Sequence, residues 1–483
     1  ASVTGARAVH RDGQTFVTWT DVAKGEAGAK YRYAVYRSEK PITQDNLAGA
    51  EKRVWGIYNN SCKLYTFAFR GRKAVNRIDP ADPNCVIEDG GEPLPEGSGL
   101  AVITPEKAGK RFYAVIATDL ENKPLSKVVP GQSATTNPVE EKPAPIQPVK
   151  VWDGEKRGGG KEAPSGKKGL PLRLHLHASG GYDMAGKNPN GDYYLYFGPR
   201  EWGWREGLAG VFTVEEKENS LVLAPVDAIV RPPEGRRWFQ SFWFGHHCVP
   251  QWSEDKEPRA YPFQERRLEE ILCWTVARYG VDTNRVYCFG WSMGAWGTST
   301  FATPRREIFA AIYPNRPRTR QRALPSLMAR AGALNKKQIA KVMMDDGKTS
   351  YLQRMDMVKP VSENHGDLPF IGWNCGRRDG FATWEEQVDM VEAMTANRHG
   401  FAFAWDNGGH QASKPLMKQH ILKWYPPEKF ALNLSYPAFG NSSIDGDLGD
   451  GDPKNGDMSG GINLGFDWTE PLDEAGRWEI EIS

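Results

Sequence analysis

Between residues 171 and 428, short apolar runs alternate with amphipathic helical stretches, and this alternation constrains the fold more than any other feature. The runs are LRLHLHA, LVLAPVD, RVYCFG, FAAIYP, PFIGWNC and FAFAWD. They are rich in β-branched and aromatic residues, which fit a pleated, buried surface. Between them, QERRLEEILCWTVARYG sets Leu268, Ile271, Leu272, Val276 and Tyr279 on one helical face. TWEEQVDMVEAMTANRHG does the same with Trp384, Val388, Val391 and Met394. Strands separated by crossover helices pair in parallel. The expected fold class is therefore α/β, a doubly wound, mostly parallel sheet covered by helices.

One of these strands runs into Gly290-Trp291-Ser292-Met293-Gly294, with a helix expected to begin after the serine. A sharp strand-to-helix turn forces its central residue into a strained conformation, and small residues on both sides let the turn close. The Ser292 hydroxyl then stands exposed at the carboxyl end of the sheet, beside a helix N-terminus that favours a developing anion. A serine nucleophile needs a base, and the base needs an orienting acid. Asp379 follows PFIGWNC, and His410 follows FAFAWD. Both lie just past strand ends, where sites of open α/β sheets form. Asp379 also reads as a cap for the helix that follows, and Asp406 is the rival acid. An oxyanion hole needs two N–H donors. Met293 supplies one, and Ser179 in LHLHASGGYD is assigned the other. Trp291, Tyr182 and Trp296 are the expected substrate-binding residues. His365, His399 and His420 lack strand-end context and read as solvated.

The flanks differ in character. Residues 1–135 carry alternating strands, TFVTWT, YRYAVYRS and KRFYAVIATD, separated by Gly, Pro and Asn. They resemble a fibronectin type III sandwich, interrupted by a long insertion over roughly residues 45–98. Residues 136–170 read as a Pro- and Gly-rich linker. Residues 429–483 read as a small acidic, Gly-rich segment of β type. Residues 315–365 form an insertion between two strands, either a cap over the site or a surface excursion. RRWFQSFWFGHHCVPQW reads equally as core or as a stacking platform for sugar rings or aromatic acyl groups; EWGWRE has the same ambiguity.

Residues 171–428 resemble the α/β-hydrolase superfamily, and within it the polyhydroxybutyrate depolymerase and feruloyl or acetyl xylan esterase group. The carrying residues are LHASGG, DTNRVYCFGWSMGAWGT, GRRDGF and DNGGH. The resemblance implies Ser292, Asp379 and His410 as catalytic triad and hydrolysis of an ester through an acyl-enzyme, with no cofactor. Gly-Trp-Ser-Met-Gly is also similar to the pentapeptide of enzymes that cleave aromatic polyesters. The expected substrate is a polymer, acylated plant polysaccharide first and polyester second. A serine peptidase of the prolyl-oligopeptidase type and a catalytically dead binding protein remain open as other classes.

Composition removes other functions. A net charge of +2 with mixed signs argues against nucleic-acid or membrane-surface partners. No apolar run reaches the ~18 residues of a membrane span. The 6 cysteines lack metal-type CxxC spacing. Cys62 and Cys85 sit in the insertion, where a disulfide is expected. An even count fits an oxidising compartment, so a secreted or periplasmic location is expected; separately, a monomer is expected. Asp445, Asp447, Asp450, Asp452 and Asp457 are spaced with glycines. Such carboxylates suit Ca²⁺. The later Glu of an EF-hand is missing, so a structural Ca²⁺ at Asp445, Asp447, Asp450 and Asp452 stands beside a merely solvated acidic turn.

Overall fold

The computed structural model describes residues 2–28, 30–62, 69–70, 73–74, 84–150, 164–177, 193–197, 208–227, 229–230, 239–240, 243–244, 246–248, 259–320, 340–363, 366–411 and 416–483. The N-terminal part contributes β1 (Thr4–Arg11), β2 (Gln14–Thr20), β3 (Arg32–Ser38), β4 (Glu51–Tyr58), β5 (Ser98–Ile103), β6 (Gly109–Thr118) and β7 (Val139–Glu141). One antiparallel sheet has the order β1-β2-β5, the other β4-β3-β6-β7. Val17, Trp19, Ala101 and Ile103 from the first share a core with Tyr33, Val35, Tyr113 and Val115 from the second. Alternating side chains on each strand make one face apolar, so the two sheets cover each other.

Asp21 is buried at the edge of this core, accepting from the Trp19 indole at 3.0 Å and the Asn60 N–H at 2.5 Å. Burial outweighs those bonds and raises its pKa from 3.8 to about 6. A raised carboxyl pKa stabilises the fold only while the group is protonated. That contribution is complete below about pH 4 and is lost as the pH rises through about 6, up to about 3 kcal/mol. Melting of the N-terminal part should therefore move to lower temperature between pH 4 and 7, and Asp21→Asn should flatten that dependence. Parallel melting curves over this range for both proteins would contradict it.

The large sheet contains β8 (Val149–Lys150), β9 (Leu172–Leu176), β10 (Tyr193–Phe197), β11 (Leu208–Lys217), β12 (Ser220–Pro225), β13 (Val286–Trp291), β14 (Ala311–Asn315), β15 (Phe370–Gly376), β16 (Phe401–Asp406) and β17 (Gly460–Ile462). Its order is β8-β10-β11-β12-β9-β13-β14-β15-β16-β17. The strands from β12 through β16 are parallel. The flanking pairs are antiparallel. The strands expected from sequence between residues 171 and 428 are the parallel ones; β10 and β11 were not among them.

The helices α1 (Phe263–Tyr279), α2 (Met293–Ala302) and α3 (Trp384–Ala396) accompany this sheet. Strand side chains alternate between two buried layers. Phe401, Phe403 and Trp405 of β16 join the core that holds Trp384, Val388 and Met394 of α3. Ala402 and Ala404 face the other layer, with Tyr425, Phe430 and Trp468. Small alanines on that side leave room for the aromatic rings, and each fully buried large side chain contributes about 1.5–3 kcal/mol.

Two segment boundaries need correction. Residues 136–170 are not simply a linker: β7 completes the sandwich and β8 extends the large sheet. Val149 packs with Phe16, Leu100 and Val102 of the N-terminal strands. Residues 429–483 are not a separate segment either. β17 pairs with β16, and Phe430 and Trp468 cover a face of the sheet. The described part of 315–365 is packed on the body, with Met357, Val358 and Val361 in the main core. His399, expected in solvent, is buried there with Nε2 3.1 Å from the Val361 carbonyl. Cys62 and Cys85 are both buried, and the expected disulfide does not join them.

Candidate active site

Ser292 stands between the end of β13 and the start of α2 at φ 54° and ψ −114°. This is a region that non-glycine residues avoid, at a cost of about 1–3 kcal/mol. The turn is held on both sides. The Ser292 N–H donates to the Asn315 carbonyl at 3.0 Å, and its carbonyl accepts from the Trp296 N–H at 3.0 Å. The two glycines have a steric cause. A Cβ on Gly290 would sit 2.1 Å from the Gly294 carbonyl oxygen. A Cβ on Gly294 would sit 1.8 Å from that of Leu176, on the neighbouring β9. Both positions must be bare for the chain to reverse so tightly.

The Ser292 Oγ donates to His410 Nε2 at 2.5 Å, and His410 Nδ1 donates to Asp379 Oδ2 at 2.7 Å. His410 and Asp379 come from the loops after β16 and β15, adjacent parallel strands. The Asp379 carboxylate is fully buried. Its other oxygen accepts the N–H groups of Phe381 and Ala382 at 2.8 and 2.9 Å, which locks the side chain. It is not the cap of α3, whose N-cap is Thr383. Asp406 plays a different part. It accepts the Gly408 N–H at 2.8 Å and so shapes the loop that presents His410. The imidazole is flanked by Trp291, ring centroids 5.8 Å apart, and Phe381, 5.1 Å apart.

The C-terminal residues brace this loop pair, a role the sequence did not suggest. The buried Arg377 guanidinium donates to the carbonyls of Asn455, Gly456 and Asp457. Trp405 Nε1 donates to the Asp457 carbonyl at 2.9 Å, and Trp384 Nε1 to that of Leu448 at 3.1 Å. The signal was present only as a Gly-rich loop, whose value lies in carbonyls that face the arginine.

Other expected residues divide. Met293 opens α2, so its N–H is among those a helix leaves without an intrahelical partner. Ser179 and Tyr182 lie outside the described residues, as do the EWGWRE stretch and most of RRWFQSFWFGHHCVPQW. Within the latter, Trp243 and Phe244 are buried, and Trp243 Nε1 donates to the His177 carbonyl at 3.2 Å. Trp296 is corrected: it is a buried residue of α2 and presents no surface to a substrate. Burial pushes the Cys288 thiol up to about 12 and the Cys375 thiol well above its usual range, so neither competes as a nucleophile.

The acidic loop carries no gathered ligand set. Among the described residues, no group of three or more His, Cys, Asp or Glu is arranged to hold a metal ion. Instead, Asp445 accepts from the N–H groups of Ser442 and Asn463, Asp447 from Gly449, Asp450 from Asp452, and Asp452 from Lys454. The carboxylates close the turns of the loop. Among the described residues, no helix is long and apolar enough to cross a membrane.

A parallel sheet that carries serine on a strained strand-to-helix turn, with histidine and aspartate from neighbouring strand ends, is the arrangement of the α/β-hydrolase class. No family model and no curated protein matches the chain. Among solved structures it is similar to a ferulic acid esterase at 14% identity, covering 50% of this chain and 79% of that one, with a TM-score of 0.29. It is similar to an S-formylglutathione hydrolase from Agrobacterium tumefaciens at 17% identity, over 50% and 78% of the two chains, with a TM-score of 0.32. A carboxylesterase from Bacillus cereus has 14% identity over 51% and 85%, with a TM-score of 0.28. Likeness this low carries nothing about activity, for which the side-chain geometry is the ground.

Proposed function

We propose that the chain is a serine hydrolase that cleaves carboxylic esters through an acyl-enzyme. The observation that carries this reading is the continuous relay from Ser292 Oγ through His410 to Asp379. Ser292 attacks the ester carbonyl while His410 takes its proton. Asp379 holds the tautomer that points Nε2 at the serine and stabilises the imidazolium. The tetrahedral oxyanion forms beside the N-terminus of α2, where the Met293 N–H is available, with Ser179 proposed as second donor. His410 then protonates the leaving alcohol. Water, deprotonated by the same imidazole, releases the acid. The residues of this sequence suffice for each proton transfer, so no cofactor is invoked.

The proposed substrate is an acylated plant polysaccharide, with a polyester as the second choice. Trp291 beside the imidazole gives a flat apolar surface next to the reacting carbonyl. A polymer cannot enter a cell, so a secreted or periplasmic location is proposed with it; a monomer is proposed separately. The N-terminal sheets are proposed to be a fibronectin type III-like accessory module. A short p-nitrophenyl ester should be hydrolysed and a peptide anilide left intact. Rapid anilide cleavage would favour a peptidase, and inertness toward both would favour a binding protein.

A further inference from the structure

We infer that Arg316, buried between Asp379 and Asp406, is a positioning residue whose charge sets how readily His410 takes up a proton. This rests on the triad reading above.

The Asp379 carboxylate has no exposure and the Arg316 side chain 1%. An isolated buried anion is strongly disfavoured. Whenever His410 is neutral, as a base must be, it offers Asp379 a hydrogen bond but no charge. Arg316 supplies that charge. Its Nη1 lies 3.9 Å from Asp379 Oδ2, the oxygen that holds the imidazole, and its Nη2 lies 3.8 Å from Asp406 Oδ1. Both separations exceed a hydrogen bond, so the guanidinium acts on these oxygens through its field.

The seating of this side chain is specific. Arg316 has φ 61°, a left-handed conformation unfavourable for a large residue, held by its N–H donating to the Asn374 carbonyl at 2.9 Å. Gly376 provides the space, since a Cβ there would lie 2.5 Å from Nη1.

Charged and titratable groups among the described residues face Asp379 and Arg316 from several elements. His410, Arg316 and the Cys375 thiol of β15 surround Asp379. Asp406 of β16 faces Arg316 from the other side. Arg377 is turned to the C-terminal carbonyls, and Arg318 is paired with Glu386 at 2.8 Å with its guanidinium over Phe381.

The sign follows. Removing the Arg316 charge leaves the Asp379 anion uncompensated. His410 then holds a proton more tightly and Asp379 is itself more easily protonated. Since the base must be neutral to act, both changes move the acidic limb of kcat/KM to higher pH. Neutralising Asp406 has the opposite effect, because it removes a negative charge whose field offsets part of that of Arg316.

The experiment is the pH profile of kcat/KM for a p-nitrophenyl ester with the full chain, each variant first checked by circular dichroism. Arg316→Met should move the acidic limb up by about one pH unit, a tenfold change in proton affinity. Arg316→Lys should hold it near the wild-type position, and Asp406→Asn should move it down. If Arg316→Met does not fold, the Lys and Asn variants still keep the inference testable, one limb expected unmoved and the other lowered. A fixed limb in Asp406→Asn, or an Arg316→Lys shift as large as that of Arg316→Met, overturns the inference. So does an Arg316→Met variant that loses rate with its limb unmoved. Ser292→Ala separates the two readings: activity retained there removes the triad itself, whereas a dead Ser292→Ala with unmoved limbs removes only the role of Arg316.

Discussion

Ser292→Ala is expected to abolish ester hydrolysis while leaving the fold and its melting curve nearly unchanged. Among the described residues the hydroxyl makes one side-chain hydrogen bond, to His410. Its loss touches no core contact, and the strained backbone is held by Asn315, Trp296 and the two bare glycines rather than by the side chain. Without Oγ there is no acyl-enzyme. What remains is water attack helped by the oxyanion site and by binding, so kcat should fall on the order of a millionfold, as in other serine triads. The check is kcat for a p-nitrophenyl ester, with circular dichroism on the same sample. More than a tenth of wild-type kcat in a folded variant would end the case for Ser292.

The second large effect concerns the acid. Asp379→Asn should lower kcat on the order of 10⁴, about 5.5 kcal/mol of transition-state stabilisation. An amide at that position can turn its NH₂ toward Nδ1, which favours the tautomer with the proton on Nε2, facing the serine. It also removes the charge that steadies the imidazolium. Asp406→Asn should cost at most about tenfold, because its carboxylate shapes the loop through Gly408 and does not touch the imidazole. Measuring both variants decides the assignment. A dead Asp406→Asn beside an active Asp379→Asn would reverse the two roles and leave the Ser292–His410 pair standing.

Through Arg316 the same two carboxylates are unequal in a second way. They sit at the ends of adjacent strands, paired as Gly376 with Asp406 in the parallel register. Only Asp379 reaches the ring, yet both fall within the field of one buried guanidinium. Catalytic loss and the direction of the pH shift thus report on different atoms.

What the sequence determined by itself is the periodic part of the molecule and the order of its chemistry. The parallel strands β12, β9, β13, β14, β15 and β16 all appeared as short apolar runs. A strand buried on both faces is largely apolar along its length, and one such as β9 with a half-buried face alternates instead; both patterns are visible locally. Gly290 and Gly294 were legible because a tight turn demands small residues. Asp379 and His410 were legible because each lies just past a strand end. The antiparallel strands β10 and β11 were missed, although YYLYF and VFTV consist of strand-favouring residues.

Tertiary structure alone decided the rest. That Trp296 is core while Trp291 flanks the imidazole depends on which side of a turn each emerges, and both are simply tryptophans next to glycine in the sequence. That the acidic C-terminal loop closes on its own N–H groups depends on backbone turns rather than on the spacing of its aspartates. Its carbonyls meet Arg377 across about 80 residues of chain, and Arg316 meets Asp379 and Asp406 across about 60 and 90. These are contacts between elements, made by charge and hydrogen bonding over long sequence separations. No local period records them, because their cause is the packing of strand ends that only the completed sheet brings together.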